Sequence, residues 1–390
     1  MNAYGLLELS NQFLLWAFIL LLIAIIPAGI AVKSKHRVSG RICIGLTYLS
    51  LSLLFLYVIL RWTATGHAPV SNMYEFMTFF GIMLIASTLL LYQIYRQIVV
   101  VLFSIPVSLI IIGFGGVFTS EATPLIPALQ SHWLTIHVIT VAFSSAIFSI
   151  AFATGVIYLL RVLDVGERTK HTMSLEFVMY CLFLVIGFTI SSMTFSAFTE
   201  EKHVEFENKV QKMEQVTYKM PPIIVNDGAR LGEDEQSIGF IKITNSLDAK
   251  KINTLVWSFI AGSALYALIR LSTRKRVVQL LKPFTNKVNP IVMDEMSYRI
   301  VIIGFPLFSL GGLLFAMIWA HLAWGRFWGW DPKEVWALIT WLFYAGMLHL
   351  RTSKGWEGKR TAWMSIIGFG LIVFNQVFVN LVIAGLHSYA

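Results

Sequence analysis

Long apolar runs separated by polar connections dominate the chain. Ten of these runs have about the 20 residues that an α-helix needs to cross the hydrocarbon core of a bilayer. The pattern therefore predicts an all-α integral membrane protein with about ten transmembrane helices. The predicted spans are 13–32, 41–60, 74–95, 98–117, 135–160, 175–198, 253–271, 299–320, 335–350 and 361–384.

One connection, 199–252, is much longer than the others and is rich in polar residues of both charges. It contains Pro221–Pro222, the turn signal Asn226–Gly228 and the alternating sequence GFIKIT. These features predict a helical start followed by a small β-hairpin. We therefore divide the chain into N-terminal membrane helices (1–198), an extracytoplasmic insert (199–252) and C-terminal membrane helices (253–390).

The positive charges are distributed unevenly between the two predicted sides of the membrane. With the N-terminus outside, the inner loops carry nineteen Lys and Arg residues and the short outer loops carry three. Because cytoplasmic loops are enriched in Lys and Arg, this supports ten spans with both termini outside the cytoplasm. The start of the chain lacks the basic segment of a signal peptide, which makes the first run a retained span of a multi-pass plasma (inner) membrane protein.

The composition of the chain excludes several classes of function. Apolar residues make up 57% of the chain and charged residues only 13%, whereas about a quarter of a soluble domain is charged. The net charge of +9 therefore reflects topology, and we expect contact with membrane lipid and none with nucleic acid. Cys43 and Cys181 lie in apolar runs and form no C-x-x-C motif, so any thiol chemistry belongs to a partner.

A Trp-rich stretch, Trp319–Trp341, lies between the eighth and ninth spans and contains six of the twelve Trp residues. Within it, Asp331 is followed by Pro and then by Glu334, a pattern that predicts a helix capped by Asp331. Indoles also favour membrane interfaces, so a simple aromatic belt is one interpretation. The other is a platform for a large flat ligand, because glycines separate the closely spaced indoles of Trp324, Trp328 and Trp330.

Four histidines are candidates to bind the large flat ligand that such a platform would hold. His137 opens the fifth span and His387 ends the last one, at similar depth on the predicted outer side, while His349 lies within the ninth span and His321 among the Trp residues. A histidine inside a membrane is a functional candidate, although a single one is more often a hydrogen-bonded structural residue. Two imidazoles beside an aromatic surface can supply both axial ligands of a haem iron.

The motifs as a set resemble a known family. The pattern W-G-x-x-W-x-W-D-P-K-E-x-W resembles the WWD signature of haem-handling proteins in cytochrome c biogenesis. The order of the surrounding motifs is similar to the CcsA/ResC type of the System II pathway, and the match covers nearly the whole chain except 199–252. The matching motifs are SNMYE (71–75), HV (137–138), YRxxxxGFP (298–306), the WWD motif (324–336), LHxRxxxGW (348–356) and GLHSY (385–389).

The resemblance implies a set of site residues. His137 and His387 match the two outer histidines that ligate haem, and His349 matches the intramembrane histidine that binds haem on its way outward. The segment 318–336 would contact the haem b. From their position in a short outer loop, Arg326 and Lys333 are candidates to pair with its propionates, and exposed loop charges are the alternative interpretation. His321 departs from the family pattern and could compete as a ligand. The further haem-contacting residues expected in this segment are Trp324, Arg326, Trp328, Trp330, Asp331 and Trp336.

The resemblance also implies an activity and partners. The chain would act as a component of a holocytochrome c synthase of the haem lyase type, together with a CcsB/ResB-type membrane protein. It would attach haem to the Cys-x-x-Cys-His motif of apocytochrome c on the outer face, with thiol-reducing proteins acting indirectly. Because His349 is the one deep intramembrane histidine, we expect the partner to supply a second inner ligand. The alternatives are a haem exporter or chaperone without bond-forming activity, and a b-type electron-transfer subunit.

Overall fold

In the computed structural model, nine helical segments of the described residues are long and apolar enough to cross a membrane. They coincide with nine of the ten predicted spans, and the all-α membrane fold class is confirmed. The described residues are 2–121, 130–207, 213–231, 236–237, 239–245 and 247–380. The helices are α1 (Ala3–Ser34), α2 (Arg37–Thr65), α3 (Met73–Tyr95), α4 (Ile98–Gly115), α5 (His132–Val162), α6 (Lys170–Phe198), α7 (Ala249–Thr273), the short α8 (Val277–Leu281), α9 (Pro290–Phe308), α10 (Ala316–Trp324), α11 (Pro332–Lys354) and α12 (Lys359–Val373).

Helix α11 corresponds to the remaining predicted span. Its 23 residues extend about 35 Å at 1.5 Å per residue, enough to cross a bilayer. Its composition is more polar than that of the nine apolar segments, since charged residues occupy both of its ends. The helix is longer than the predicted span because Pro332–Glu334 precede that span and Arg351–Lys354 follow it.

Two segments of the described chain have the rare π-helical geometry. Ser309–Phe315 connects α9 to α10, and Phe374–Val379 follows α12. Both pack against α11. Because a π-turn widens the helix and changes the direction of its carbonyls, such segments often mark functional positions.

The described residues of Met1–Arg168 and Leu281–Ala390 form one compact unit. Its centre is α5, which packs against α3, α4, α9, α12 and the first π-helical segment. Most of α5 is buried, and its hydroxyl groups make internal contacts such as Thr154 Oγ1 to Ser297 Oγ at 2.6 Å. At its C-terminal end, Lys282 Nζ donates to the carbonyls of Leu160, Arg161 and Leu163 at 2.7–3.0 Å. A cation at this end also interacts favourably with the helix dipole.

Residues Thr169–Leu280 form a second compact unit, in which α6 and α7 pack together. The two helices approach closely at glycines, because a β-carbon on Gly187 would lie 2.5 Å from Gly262 Cα. Glu176 of α6 accepts hydrogen bonds from Val277 N and Val278 N, each at 3.0 Å. The division of the sequence at 198 and 252 stays a prediction.

The strands of the second unit form two small sheets. One has the order β2-β1-β4-β5, and in the other β3 pairs in parallel with β6. Asn253 of α7 ties the insert to the helix, since its Oδ1 accepts from Ile223 N at 2.8 Å and Ile224 N at 3.1 Å. The strands are β1 (Lys202–Glu207), β2 (Met213–Tyr218), β3 (Ile224–Asn226), β4 (Arg230–Leu231), β5 (Gln236–Ser237) and β6 (Ile241–Ile243).

The predicted helical start of the insert is wrong. Residues 202–207 form strand β1 and pair with β2 as an antiparallel hairpin. The reason is the two-residue alternation, which places Val204 and Phe206 on one face, in a core with Tyr218 and Val225. The GFIKIT sequence does form a strand, but its partner β3 runs parallel to it.

Candidate functional site

The WWD motif forms the connection between α10 and α11. α10 ends at Trp324, where Gly325 adopts a left-handed conformation (φ 70°) and donates its N–H to the carbonyl of His321 at 2.9 Å. α11 begins after Asp331, whose side chain accepts a hydrogen bond from Lys333 N at 3.3 Å. The predicted N-cap at Asp331 is therefore confirmed. The intervening loop carries the central indoles of the motif.

Trp330 has an unusual backbone conformation. Its φ of 58° lies in the left-handed region, which a bulky residue rarely adopts. The N–H groups on both sides of it, Gly329 N and Asp331 N, donate to Glu334 Oε2 at 2.8 Å and 3.2 Å. The turn directs the Trp330 indole away from the protein, where 71% of the residue surface is exposed.

The indoles of the motif do not form one flat surface. Trp328 and Trp330 are perpendicular, with ring centroids 5.9 Å apart and an interplanar angle of 89°. Trp324 packs edge-on against the buried Trp319 at 4.8 Å. A planar ligand parallel to one ring of the Trp328–Trp330 pair would therefore meet the edge of the other.

His137 lies in the second turn of α5, beside Trp319, whose indole contacts Trp324 of the motif. Its Nδ1 is 2.8 Å from the carbonyl oxygen of Gly311, in the first π-helical segment. Because a carbonyl only accepts, Nδ1 carries the proton, and Nε2 is then the nitrogen with the lone pair that a metal requires. The imidazole is also parallel to the Trp319 indole, with an interplanar angle of 8° and centroids 5.8 Å apart.

The contact between His137 and Gly311 depends on a close approach of two backbones. A β-carbon on Gly311 would lie 2.7 Å from Val141 N and 2.9 Å from Thr140 C, which leaves no room for a side chain. Glycine therefore lets the π-helical segment pack directly against α5. This contact fixes the orientation of the His137 ring relative to the Trp-rich motif.

The two cationic side chains of the motif, Arg326 and Lys333, make different contacts. The exposed Arg326 lies over Gly329, since a β-carbon there would be 2.6 Å from the guanidinium carbon. Lys333 Nζ donates to Asn380 Oδ1 at 2.8 Å and lies 5.5 Å from the centre of the Phe76 ring. Lys333 therefore links the start of α11 to α3 and to the residue that follows the second π-helical segment.

Two further predicted residues lie within α11. Trp336 packs against Phe374 at 4.3 Å, within the second π-helical segment. His349 is exposed on α11, and its 17-residue separation from Pro332 places it about 25 Å from the start of the helix. The structure therefore does not bring His349 to the WWD motif.

His321 and His387 are the other two histidines that the sequence analysis named as candidate ligands. His321 stacks on Phe327, with centroids 4.2 Å apart and an interplanar angle of 7°. His387 lies outside the described residues, so its pairing with His137 stays a prediction. Within the part of the chain that the structure describes, no group of three or more His, Cys, Asp or Glu side chains is arranged to hold a metal ion.

A buried ion pair supports the start of α3, where the SNMYE motif lies. Arg61 Nε and Glu75 Oε1 are 2.7 Å apart, and both side chains are completely buried. Glu75 Oε2 accepts from Ser71 N at 2.8 Å and Ser71 Oγ at 2.7 Å, and Arg61 Nη2 donates to Ser120 O at 2.8 Å. Phe76, the next residue, contacts Lys333, so the ion pair braces the WWD motif from α3.

The sequence places Glu75 in the SNMYE motif, but it does not identify Arg61 as the partner of Glu75. The available signal was an arginine at the end of an apolar span, a position where a charge needs a partner. It also did not identify Trp319 as the neighbour of His137. A helical residue that faces another span through packing leaves no local pattern in the sequence.

This chain is similar to known proteins over most of its length. The family model described as "Cytochrome C assembly protein" matches residues 70–215 and 254–387. The cytochrome c biogenesis protein CcsA of Prochlorococcus marinus (strain MIT 9301) is 30% identical over 380 residues, which cover 96% of this chain and 92% of the relative. That of Parasynechococcus marenigrum (strain WH8102) is 30% identical over 379 residues, with 96% and 93% covered.

A third relative, from Cyanophora paradoxa, is 29% identical over 341 residues, which cover 86% of this chain and 83% of the relative. The family model passes over 216–253, the greater part of the insert, and includes both the SNMYE and the WWD motifs. Because the model matches more than half of the chain and the relatives align over almost its whole length, the chain belongs to the CcsA family of cytochrome c biogenesis proteins.

Proposed function

We propose that this multi-pass membrane protein takes part in cytochrome c maturation by binding haem b as a substrate at the WWD motif and presenting it to apocytochrome c. The observation that carries the proposal is the setting of His137. Its Nδ1 donates to Gly311 O, and its ring is parallel to the indole of Trp319, which in turn contacts Trp324 of the motif. A histidine that donates its other ring N–H to a carbonyl has the usual arrangement of a metal ligand.

In this proposal the site residues position the substrate. His137 and His387 bind the iron from opposite faces, Trp328 and Trp330 contact the macrocycle face and edge, and Arg326 pairs with a propionate. The right-angled Trp pair supports this arrangement because it offers one face and one edge. The remaining contacts come from Trp324, Asp331 and Trp336.

The bond-forming step needs no acid or base from the described site. Each thiol of the Cys-x-x-Cys-His motif adds across a haem vinyl group, so that a carbon–sulfur bond forms and the thiol hydrogen is transferred to the neighbouring vinyl carbon. The chain contributes by holding the vinyl group near the thiol in a reactive geometry. We propose that a CcsB/ResB-type partner is needed for this step and that thiol-reducing proteins keep the cysteines reduced.

We propose that haem first binds at His349 before it reaches the outer site. His349 is exposed on α11, which supports a ligand shared with a partner. An intramembrane histidine exposed to lipid alone would be unfavourable. The partner would supply the second inner ligand. We propose that this chain lies in the inner membrane with both of its termini outside the cytoplasm. Full inner-site occupancy in the purified chain alone would contradict the shared site.

The decisive experiment expresses the chain with a CcsB-type partner and an apocytochrome c reporter. His137→Gly and His387→Gly should each abolish covalent haem on the reporter, and added imidazole should restore it, because each side chain donates only a ligand nitrogen. His203→Gly is the matched control, since its exposed imidazole bonds to Thr217 Oγ1 in the insert. Normal covalent haem in His137→Gly without imidazole would contradict the proposal. Haem delivered to the outer face without covalent attachment would identify an exporter.

A further inference from the structure

The turn at Trp330 closes on one carboxylate oxygen. Glu334 Oε2 accepts from Gly329 N at 2.8 Å and from Asp331 N at 3.2 Å, the backbone N–H groups of the residues before and after Trp330. We propose that Glu334 is a positioning residue that sets the orientation of the Trp330 indole toward the haem. This inference rests on the proposed haem-binding function and assigns Glu334 a role in that site.

Glu334 accepts one more hydrogen bond than a helix cap requires. A capping box requires only that the third helical residue accept the N–H of the N-cap residue, which here is Asp331. The α6 box is of this kind, with Thr172 Oγ1 accepting from Thr169 N at 2.9 Å. At α11 the carboxylate also binds Gly329 N, which lies beyond Trp330 and outside the cap.

The backbone of Trp330 explains why the second bond forms. A residue in the left-handed conformation turns its flanking N–H groups toward a common point, which is suited to an anion. The φ of 58° at Trp330 has this effect, and the Glu334 carboxylate occupies that point. For a bulky residue the conformation is unfavourable, so an attractive contact has to stabilise it.

The side chain of Trp330 depends on this turn for its direction. With 71% of the residue exposed, little packing holds the indole apart from its edge contact with Trp328. Arg326 covers Gly329 on the same loop, which limits other paths for the backbone. Loss of the carboxylate would allow Trp330 to return to an ordinary negative φ and would redirect the indole.

The first test needs no haem. The full-length chain is labelled with 5-fluorotryptophan in nanodiscs, and the Trp330 resonance is assigned with Trp330→Phe. Glu334→Ala should move or broaden this resonance, whereas Glu334→Gln should retain it, because an amide oxygen still accepts both N–H groups. Thr172→Ala, which removes the corresponding acceptor from the α6 box, is the control and should leave the resonance unchanged. An unchanged resonance in Glu334→Ala would overturn the proposal.

The second test measures binding of haem b by titration of its Soret band. Glu334→Ala should weaken binding about tenfold, the factor expected when redirecting the Trp330 indole removes one aromatic contact with the haem, and Glu334→Gln should recover most of it. In a Trp330→Gly background, Glu334→Ala should cause no further loss, because there is no indole to orient. Equal losses in both backgrounds would show that Glu334 acts only as a cap. If the unaltered chain binds no haem, the proposed function fails, while the fluorine resonance still decides the role of Glu334.

Discussion

The buried Arg61–Glu75 ion pair allows us to predict how its loss changes the unfolding free energy of the fold around the site. The perturbations are Arg61→Met and Glu75→Gln, alone and combined. Each single change leaves one completely buried charge without its 2.7 Å partner. The combined change removes both charges, and the amide that Glu75→Gln introduces keeps an oxygen that accepts from Ser71.

The magnitudes follow from burial. Removing one partner of a buried ion pair typically costs 3–5 kcal/mol, so we expect each single variant to lose about that much unfolding free energy. The double variant should lose only about 1–2 kcal/mol, mainly for the hydrogen bond from Arg61 Nη2 to Ser120 O. The coupling energy between the two positions should therefore be at least about 4 kcal/mol.

A native cysteine provides the assay. Cys43 lies in α2 with Arg61 and is completely buried, so a fluorogenic maleimide should label it only when the region unfolds. The partly exposed Cys181 is removed by Cys181→Ala in all variants. Unfolding free energies are then obtained from the labelled fraction along a denaturant titration of the detergent-solubilised chain.

An exposed pair of equal length supplies the control. Arg299 Nε and Glu295 Oε1 are also 2.7 Å apart, but 57% and 42% of these side chains are exposed. The same substitutions there should cost less than about 1 kcal/mol. Additive effects at Arg61 and Glu75, or equal losses at both pairs, would refute the reasoning from burial.

Three further predictions concern the site itself. Trp330→Gly should raise the unfolding free energy by about 1 kcal/mol, because glycine tolerates a positive φ. The same change should weaken haem binding in the Soret titration. A destabilised variant would contradict the argument that the Trp330 backbone is strained. Gly311→Ala should cost about 1–3 kcal/mol in the Cys43 assay, since its β-carbon meets backbone atoms of α5, and an unaffected variant would show that the helices separate easily. Lys333→Met should cost about 1–3 kcal/mol by removing the donor to Asn380 Oδ1, and adding Asn380→Leu should recover much of this loss; equal stability of Lys333→Met and the unaltered chain would contradict it.

The membrane spans could be predicted from sequence because they depend on a local property. An apolar run of sufficient length must form a helix in a bilayer, since no water is present to satisfy its backbone. The bounds differ where polar residues continue a helix, as at Ala3–Ser34, which begins ten residues before its apolar run. The cap at Asp331 was predictable for the same reason, because its partners are its immediate neighbours.

The geometry of the site depends on contacts that no local pattern reveals. The bond from His137 to Gly311 joins residues 174 positions apart, and it requires a π-helical segment that apolar periodicity does not distinguish from an α-helix. The left-handed backbone of Trp330 was equally hidden, because Trp is among the residues least expected there. The short strand β1 was missed because its charged residues obscured the alternation of Val204 and Phe206.

Helix α11 connects the two proposed haem positions and limits how haem can pass between them. The WWD motif caps one end of the helix, and His349 lies about 25 Å along it, a distance greater than the width of one porphyrin ring. A continuous helix fixes this separation, because its backbone hydrogen bonds keep both ends in register. One haem therefore cannot contact both positions at once, and no rotation of α11 about its axis would bring them together. Under the proposed function the haem itself has to move along α11, and the exposed position of His349 favours a route on the surface that this helix offers to a partner.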